Sequence, residues 1–173
     1  PSKGIPEAGR KVSWSELFFD LVFVTNVARI GDNFQEGRVT AFEFIILYRV
    51  LYNCWWSTTL FSGRFFSDDL ANKIQMGLSM FILIVAGLRL DRDFDSCSRH
   101  VTLCAGLYYF AECLPYFRVY RHIAYARSHV LIHFLIKNVV QGVFHLIVAA
   151  PLFQGRALFV GLAVCIVVDI VWS

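Results

Sequence analysis

Apolar residues run along this chain in six long blocks, at about 14–30, 42–61, 74–90, 101–120, 130–153 and 157–173. Each block is close to the ~17–25 residues that a helix needs to cross the hydrocarbon of a bilayer. The breaks between blocks carry turn and charge signals. Gly31-Asp32-Asn33 ends the first block, Ser67-Asp68-Asp69 follows the second, and Asp91–Asp95 with Arg92 follows the third. A basic strip with Arg118, Arg121 and Arg127 closes the fourth, and Pro151 with Gln154-Gly155 divides the last two. The pattern predicts an all-α fold: a polytopic membrane bundle of six helices, in one domain over residues 1–173. Its start without Met and its apolar end at Trp172-Ser173 lead us to expect the N-terminal part of a longer protein.

Polar residues inside the blocks change this picture most. The first block, WSELFFDLVFVTNVARIG, holds Glu16, Asp20, Asn26 and Arg29. Glu16 and Asp20 are four apart and so share one helix face. Asp20, Arg49, Glu112, Lys137 and Asp169 all fall well within blocks. At about 3 kcal/mol each near a bilayer centre, leaving all of them unpaired would cost as much as a whole domain's stability. They must be paired, neutralised or hydrated.

Depth suggests partners. At ~1.5 Å rise per residue, Asp20 and Arg49 fall near the midplane on antiparallel neighbours, and Arg29 lies level with Glu43 near one surface. On the fifth block His129, His133, Lys137, Gln141 and His145 recur at four-residue steps and form one polar stripe. Glu112 on the fourth block is the expected partner of His133 or Lys137, with Tyr108, Pro115 and Tyr116 beside it. Arg49, Asn53 and Trp56-Ser57 make a second stripe, next to a Trp55-Trp56 pair that reads as an interfacial anchor. Such stripes either line a wet path along which histidines and carboxylates relay protons, or form a hydrogen-bonded seam between helices. His129 and His133 sit one turn apart and are the weak candidates for a metal ion; a single HxxxH falls short of a full ligand set, and no metal is assigned.

Composition agrees with a bilayer. Hydrophobic types make up 57% and charged types 17% of 173 residues, and mean hydropathy is +0.57. Soluble domains carry about 45–50% apolar and about 25% charged residues. The formal charge of +3 is small and dispersed over short loops, which argues against nucleic-acid binding. With the N-terminus inside, one side collects Lys3, Arg10, Lys11, Arg64, Lys73, Arg118, Arg121 and Arg127, and the other only Arg38, Arg92, Arg99 and Arg156. That asymmetry places the N-terminus in the cytoplasm of a cell-membrane protein. Lys3, Arg10 and Lys11 do not open a signal peptide, because Glu16 and Asp20 interrupt the apolar core one needs. Five cysteines contain no CxxC pair, and four lie in apolar runs, where a thiol acts as a small hydrophobe. No phosphate loop, serine elbow or zinc-protease motif occurs, so no cofactor is named.

Two stretches carry a family resemblance. Ser15-Glu16-Leu17-Phe18-Phe19-Asp20-Leu21-Val22-Phe23-Val24 closely resembles the ELFFDLVFV signature that opens the low temperature requirement A (LtrA) family. Trp55-Trp56, Arg64-Phe65, Asp68-Asp69, Met76 and Met80 resemble its tryptophan-rich second helix and the RF…DD loop after it. Residues 90–173 match in hydropathy. The resemblance implies a polytopic membrane protein from a family without an agreed biochemical activity. Members usually continue into a helix with an ERFGLF…GE-like motif, which does not occur in this chain. Expected partners are therefore the bilayer and either a C-terminal half or a second copy, with no nucleic acid.

The leading expectation is a transporter or an ion- or proton-conducting protein using Glu16, Asp20, Arg49, Asn53, Glu112, His133, Lys137, Gln141 and His145. The alternatives are a membrane-embedded enzyme acting on a lipidic substrate through His129, His133 and Glu112, and a structural or regulatory protein without catalysis.

Overall fold

Local capping signals start three of the helices. In the computed structural model α1 spans Trp14–Gln35, α2 Ala41–Arg64, α3 Leu70–Gly87 and α4 Phe94–His122. A short α5, Arg127–Val130, a π-helical stretch, Leu131–Ile136, and α6, Lys137–Ala149, follow one another without a break, and α7 spans Arg156–Trp172. The described residues are 13–64, 69–90, 94–122, 127–152 and 155–172, with the backbone alone at His129, Ile132, His133, Asp169, Val171 and Trp172. Among them no strand forms. Lys3, Arg10, Lys11, Phe65, Ser67, Asp68, Arg92 and Gln154, used in the sequence reading, lie outside the described residues.

At α1 a capping box closes on Ser13: its Oγ accepts from Glu16 N at 3.2 Å, and Glu16 Oε2 accepts from Ser13 N at 3.1 Å. Two orphan donors are satisfied at once. Thr40 and Glu43 make the same reciprocal pair ahead of α2, at 3.4 and 2.6 Å. Asp69 caps α3 by accepting from Asn72 N at 2.8 Å, and its other oxygen pairs with Arg118 of α4.

The helices correspond to the six expected blocks, but α4 starts at Phe94, seven residues before its block and within the Asp91–Asp95 break, and α1 is longer than its block as well. The α1 helix continues through Gly31-Asp32-Asn33, which had been read as its end, to Gln35. Tertiary partners explain the extension. Asn26 Nδ2 donates to Leu83 O at 2.8 Å, Arg29 Nη1 to Gly87 O at 2.8 Å, and Asn33 Nδ2 to Leu90 O. Three side chains on one face of α1 thus donate to carbonyls at and just beyond the end of α3. Gly87 allows the approach, since a Cβ there would fall 3.2 Å from Asn26 Cγ.

α4 is central and packs against α2, α3, α6 and α7, while α1 lies on α2 and α3. Small residues bring α4 and α6 close: a Cβ on Gly106 would sit 2.9 Å from Leu146 Cδ2, and one on Gly142 2.9 Å from Phe110 Cε2. The main core joins Phe19, Leu47, Leu51, Leu83, Tyr108 and Leu162, and a smaller one joins Phe61, Tyr116, Val119 and Val130. Polarity is distributed inside out. Asn26, Asn53, Thr58, Ser79, Thr102, Glu112, Asn138, Gln141 and His145 are buried, whereas Leu17, Phe18, Leu21, Phe42, Ile74, Phe81 and Val160 are exposed. Among the described residues one helix, Leu70–Gly87, is by itself long and apolar enough to cross a membrane.

Candidate functional site

A chamber of about 320 Å³ opens where α1 begins and α2 ends. Its lining includes Glu16, Phe19 and Asp20 of α1, Trp55, Thr58 and Ser62 of α2, and Met76 of α3. The two carboxylates expected on one face of α1 do face one space. Glu16 also holds the α1 cap, as described above.

Asp20 does not meet Arg49. Its Oδ1 accepts from Trp55 Nε1 at 2.7 Å. Arg49 lies over the Tyr52 ring at 5.4 Å, and its Nε is buried without a hydrogen-bond partner. Aromatic packing sets the register that separates them. Phe23 stacks on Trp55 at 5.2 Å, and Phe34 meets Phe44 at 5.6 Å near the connecting turn. This antiparallel register puts Trp55 level with Phe23, within reach of Asp20, and Arg49 level with Arg29, about nine residues or roughly 13 Å along α1 from Asp20. Trp55 is therefore turned inward as a hydrogen-bond donor rather than serving as an anchor, while Trp56 is 42% exposed. The expected Arg29–Glu43 pairing is also replaced, since Arg29 serves α3 and Glu43 caps its own helix.

Behind the chamber wall lies Glu112, 2% exposed. Its Oε1 accepts from Thr58 Oγ1 at 3.0 Å and from Ser79 Oγ at 3.2 Å, and its Oε2 is buried with no hydrogen-bond partner. These donors come from α2 and α3. Sequence reasoning had looked instead for a cation on the fifth block. Lys137 is half-buried at the start of α6, and the His129 and His133 side chains lie outside the described residues. Thr58 Oγ1 also meets the Tyr108 hydroxyl, which in turn donates to Cys54 O.

Counting hydrogens along this line is informative. The contacts Glu112–Thr58, Thr58–Tyr108 and Tyr108–Cys54 O are three, but the two hydroxyls bring two hydrogens. An ionised Glu112 leaves one contact without a hydrogen. A proton on Glu112 gives every contact one, with all donors pointing the same way towards Cys54 O. The line can thus take up a proton on Glu112 and accommodate it by turning its hydroxyls, with Cys54 O as the final acceptor of a hydrogen bond.

Pro115, one helical turn after Ala111, shapes the same region. It brings no N–H, so Ala111 O loses its helical donor. Gln75 Nε2 of α3 fills that position at 2.9 Å. Thr58, Ser79 and Gln75 were missed from sequence. The proline was the available signal for Gln75, because an orphaned carbonyl inside a bundle requires a donor from a neighbour.

The remaining stripe residues divide. Gln141 and His145 are buried, at 1% and 3% exposure, with Gln141 Nε2 donating to Cys165 O at 3.3 Å and His145 Nδ1 paired with Gln141 O at 2.8 Å. The His145 ring lies 5.3 Å from Tyr109 of α4. This part of the stripe faces protein, on the α4 and α7 side. Asn53 is buried in α2. Asn138 Nδ2 and Gln141 Oε1 are further buried polar atoms with no hydrogen-bond partner. Asp169 is described by its backbone alone.

Residues 11–173 match a family described as Bacterial low temperature requirement A protein (LtrA). No curated protein and no solved structure matches the chain.

Proposed function

This chain belongs to the LtrA family, and from that premise we propose that it is a polytopic membrane protein whose polar centre conducts protons or other cations. The observation that carries the reading is Glu112. It is a buried carboxyl met by hydroxyl donors, with one oxygen unpartnered and one threonine between it and an acid-lined chamber. A group so placed can exchange a proton with the chamber through Thr58, while Tyr108 and Thr58 turn to satisfy either state. Buried titratable groups of this kind inside membrane bundles are typical of proton relays.

Burial of amides and hydroxyls beneath an apolar exterior supports the bilayer part of the reading, because lipid rewards that arrangement. The basic-residue asymmetry assigns the N-terminus, and with it the chamber mouth, to the cytoplasm.

The test is proton flux into liposomes holding the full-length protein and a pH-sensitive dye, with the potential clamped by potassium and valinomycin. Wild type should dissipate an imposed gradient and Glu112→Gln should not. Identical flux in the two would remove Glu112 from the pathway, and a proton-tight wild type would end the conduction reading.

A further inference from the structure

We propose that the chamber between α1, α2 and α3 binds an organic ammonium ion with an apolar body. Access from the cytoplasmic side rests on the topology proposed above, but the class of occupant is argued from the chamber alone. Its volume of about 320 Å³ lies at the small end of the ~300–1,000 Å³ typical of small-molecule sites.

Charge comes first. Among the described residues the titratable side chains on the wall, Glu16 and Asp20, are both acidic, and they disfavour an anion.

The donors matter as much. Trp55 Nε1 is committed to Asp20 at 2.7 Å, Thr58 Oγ1 donates to Glu112 at 3.0 Å, and Thr59 Oγ1 donates to Trp55 O at 2.9 Å. With these hydrogens directed into the protein, the described wall offers mainly oxygen lone pairs and carboxylates, and its remaining hydroxyl, Ser62, can accept as well as donate. A ligand with N–H donors and a positive charge complements such a wall. A neutral acceptor finds a donor there only at Ser62.

The apolar part of the wall decides between inorganic and organic cations. A bare metal ion needs several converging oxygens to replace its water, about six to eight for calcium. Here Phe19, Trp55 and Met76 occupy much of the surface. An aromatic ring beside a carboxylate favours a cation through its negative face. Trp55 is fixed in position by its stack on Phe23 at 5.2 Å and its bond to Asp20.

The experiment is calorimetric titration of the full chain in nanodiscs at neutral pH, using benzylammonium against benzyl alcohol, its uncharged isostere. Benzylammonium should bind at least about tenfold tighter, and Asp20→Asn should weaken it about tenfold. Thr59→Phe, which fills the chamber from an exposed position, should abolish binding, and it carries the test if Asp20→Asn fails to fold. Equal binding of the two probes, or an affinity indifferent to both substitutions, overturns the proposal. So does Asp20-dependent binding of sodium or potassium without benzylammonium. Ammonium binding by a proton-tight protein would keep this site and end the conduction reading, and proton flux without ammonium binding would do the reverse.

Discussion

Gln75→Leu should show how much the proline-broken turn of α4 depends on its neighbour. Pro115 leaves Ala111 O without an intrahelical donor, and Gln75 Nε2 supplies one at 2.9 Å. Ala111 is 8% exposed, so water offers little relief once the amide is gone. Stranding a buried polar group costs about 1–3 kcal/mol in water-soluble cores, while interhelical hydrogen bonds in membranes average about 0.6 and reach about 1.7 kcal/mol. The expected loss is about 1.5 kcal/mol, near the top of the membrane range, because the competing helical donor is absent. Pro115→Ala restores that donor. In its background Gln75→Leu should cost about 0.5 kcal/mol or less, a coupling of about 1 kcal/mol. Reversible unfolding in mixed micelles, followed by circular dichroism as sodium dodecyl sulfate is raised, measures both. The same cost in the two backgrounds would refute the assignment of Gln75 to the proline gap.

Thr58→Val should cost about 1–2 kcal/mol in the same assay and stop proton flux, while Thr58→Ser, which keeps the hydroxyl, retains both stability and flux. Gly87→Ala should destabilise by crowding Asn26, and an Asn26→Ala background should remove most of that penalty, read as a double-mutant cycle. Asp20→Ala and Arg49→Ala should be additive to within about 0.5 kcal/mol, since the two residues sit at different depths and share no partner. A cysteine at Ser128, with native cysteines replaced, should resist a membrane-impermeant thiol reagent in intact cells, and labelling from outside would invert the topology.

The approximate places of the helices were legible because long apolar blocks leave little else for the backbone to form. The α1 terminus was not. Gly31, Asp32 and Asn33 are turn formers by local preference, and the helix persists because Asn33 finds Leu90 O, a partner distant in sequence. The intramembrane carboxylates stood out as charges in apolar runs, yet their partners did not. Depth alone placed Asp20 near Arg49, whereas ring packing of Phe23 on Trp55 slid α2 so that the indole reached Asp20 instead. Glu112 was sought beside a cation, and it is met by the hydroxyls of Thr58 and Ser79, residue types too common in helices to announce themselves.

The three donors that tie α1 to α3 have a mechanical consequence. Asn26, Arg29 and Asn33 fasten the C-terminal half of α1 to the end of α3. Towards its other end, the hydrogen bond from Trp55 to Asp20 holds α1 to α2. This half of α1 is held by that bond together with the buried Phe19 and the Phe23–Trp55 stack. If α1 tilted about Asn26, its N-terminal end would move most. Glu16 lies ten residues from Asn26, roughly 15 Å of helix, so a tilt of about 10° would swing it by nearly 3 Å. An occupant drawing Asp20 away from the indole would leave apolar contacts, Phe19 in the core and Phe23 on Trp55, to hold the mouth of the chamber, while its floor at Thr58 stayed pinned by polar ones.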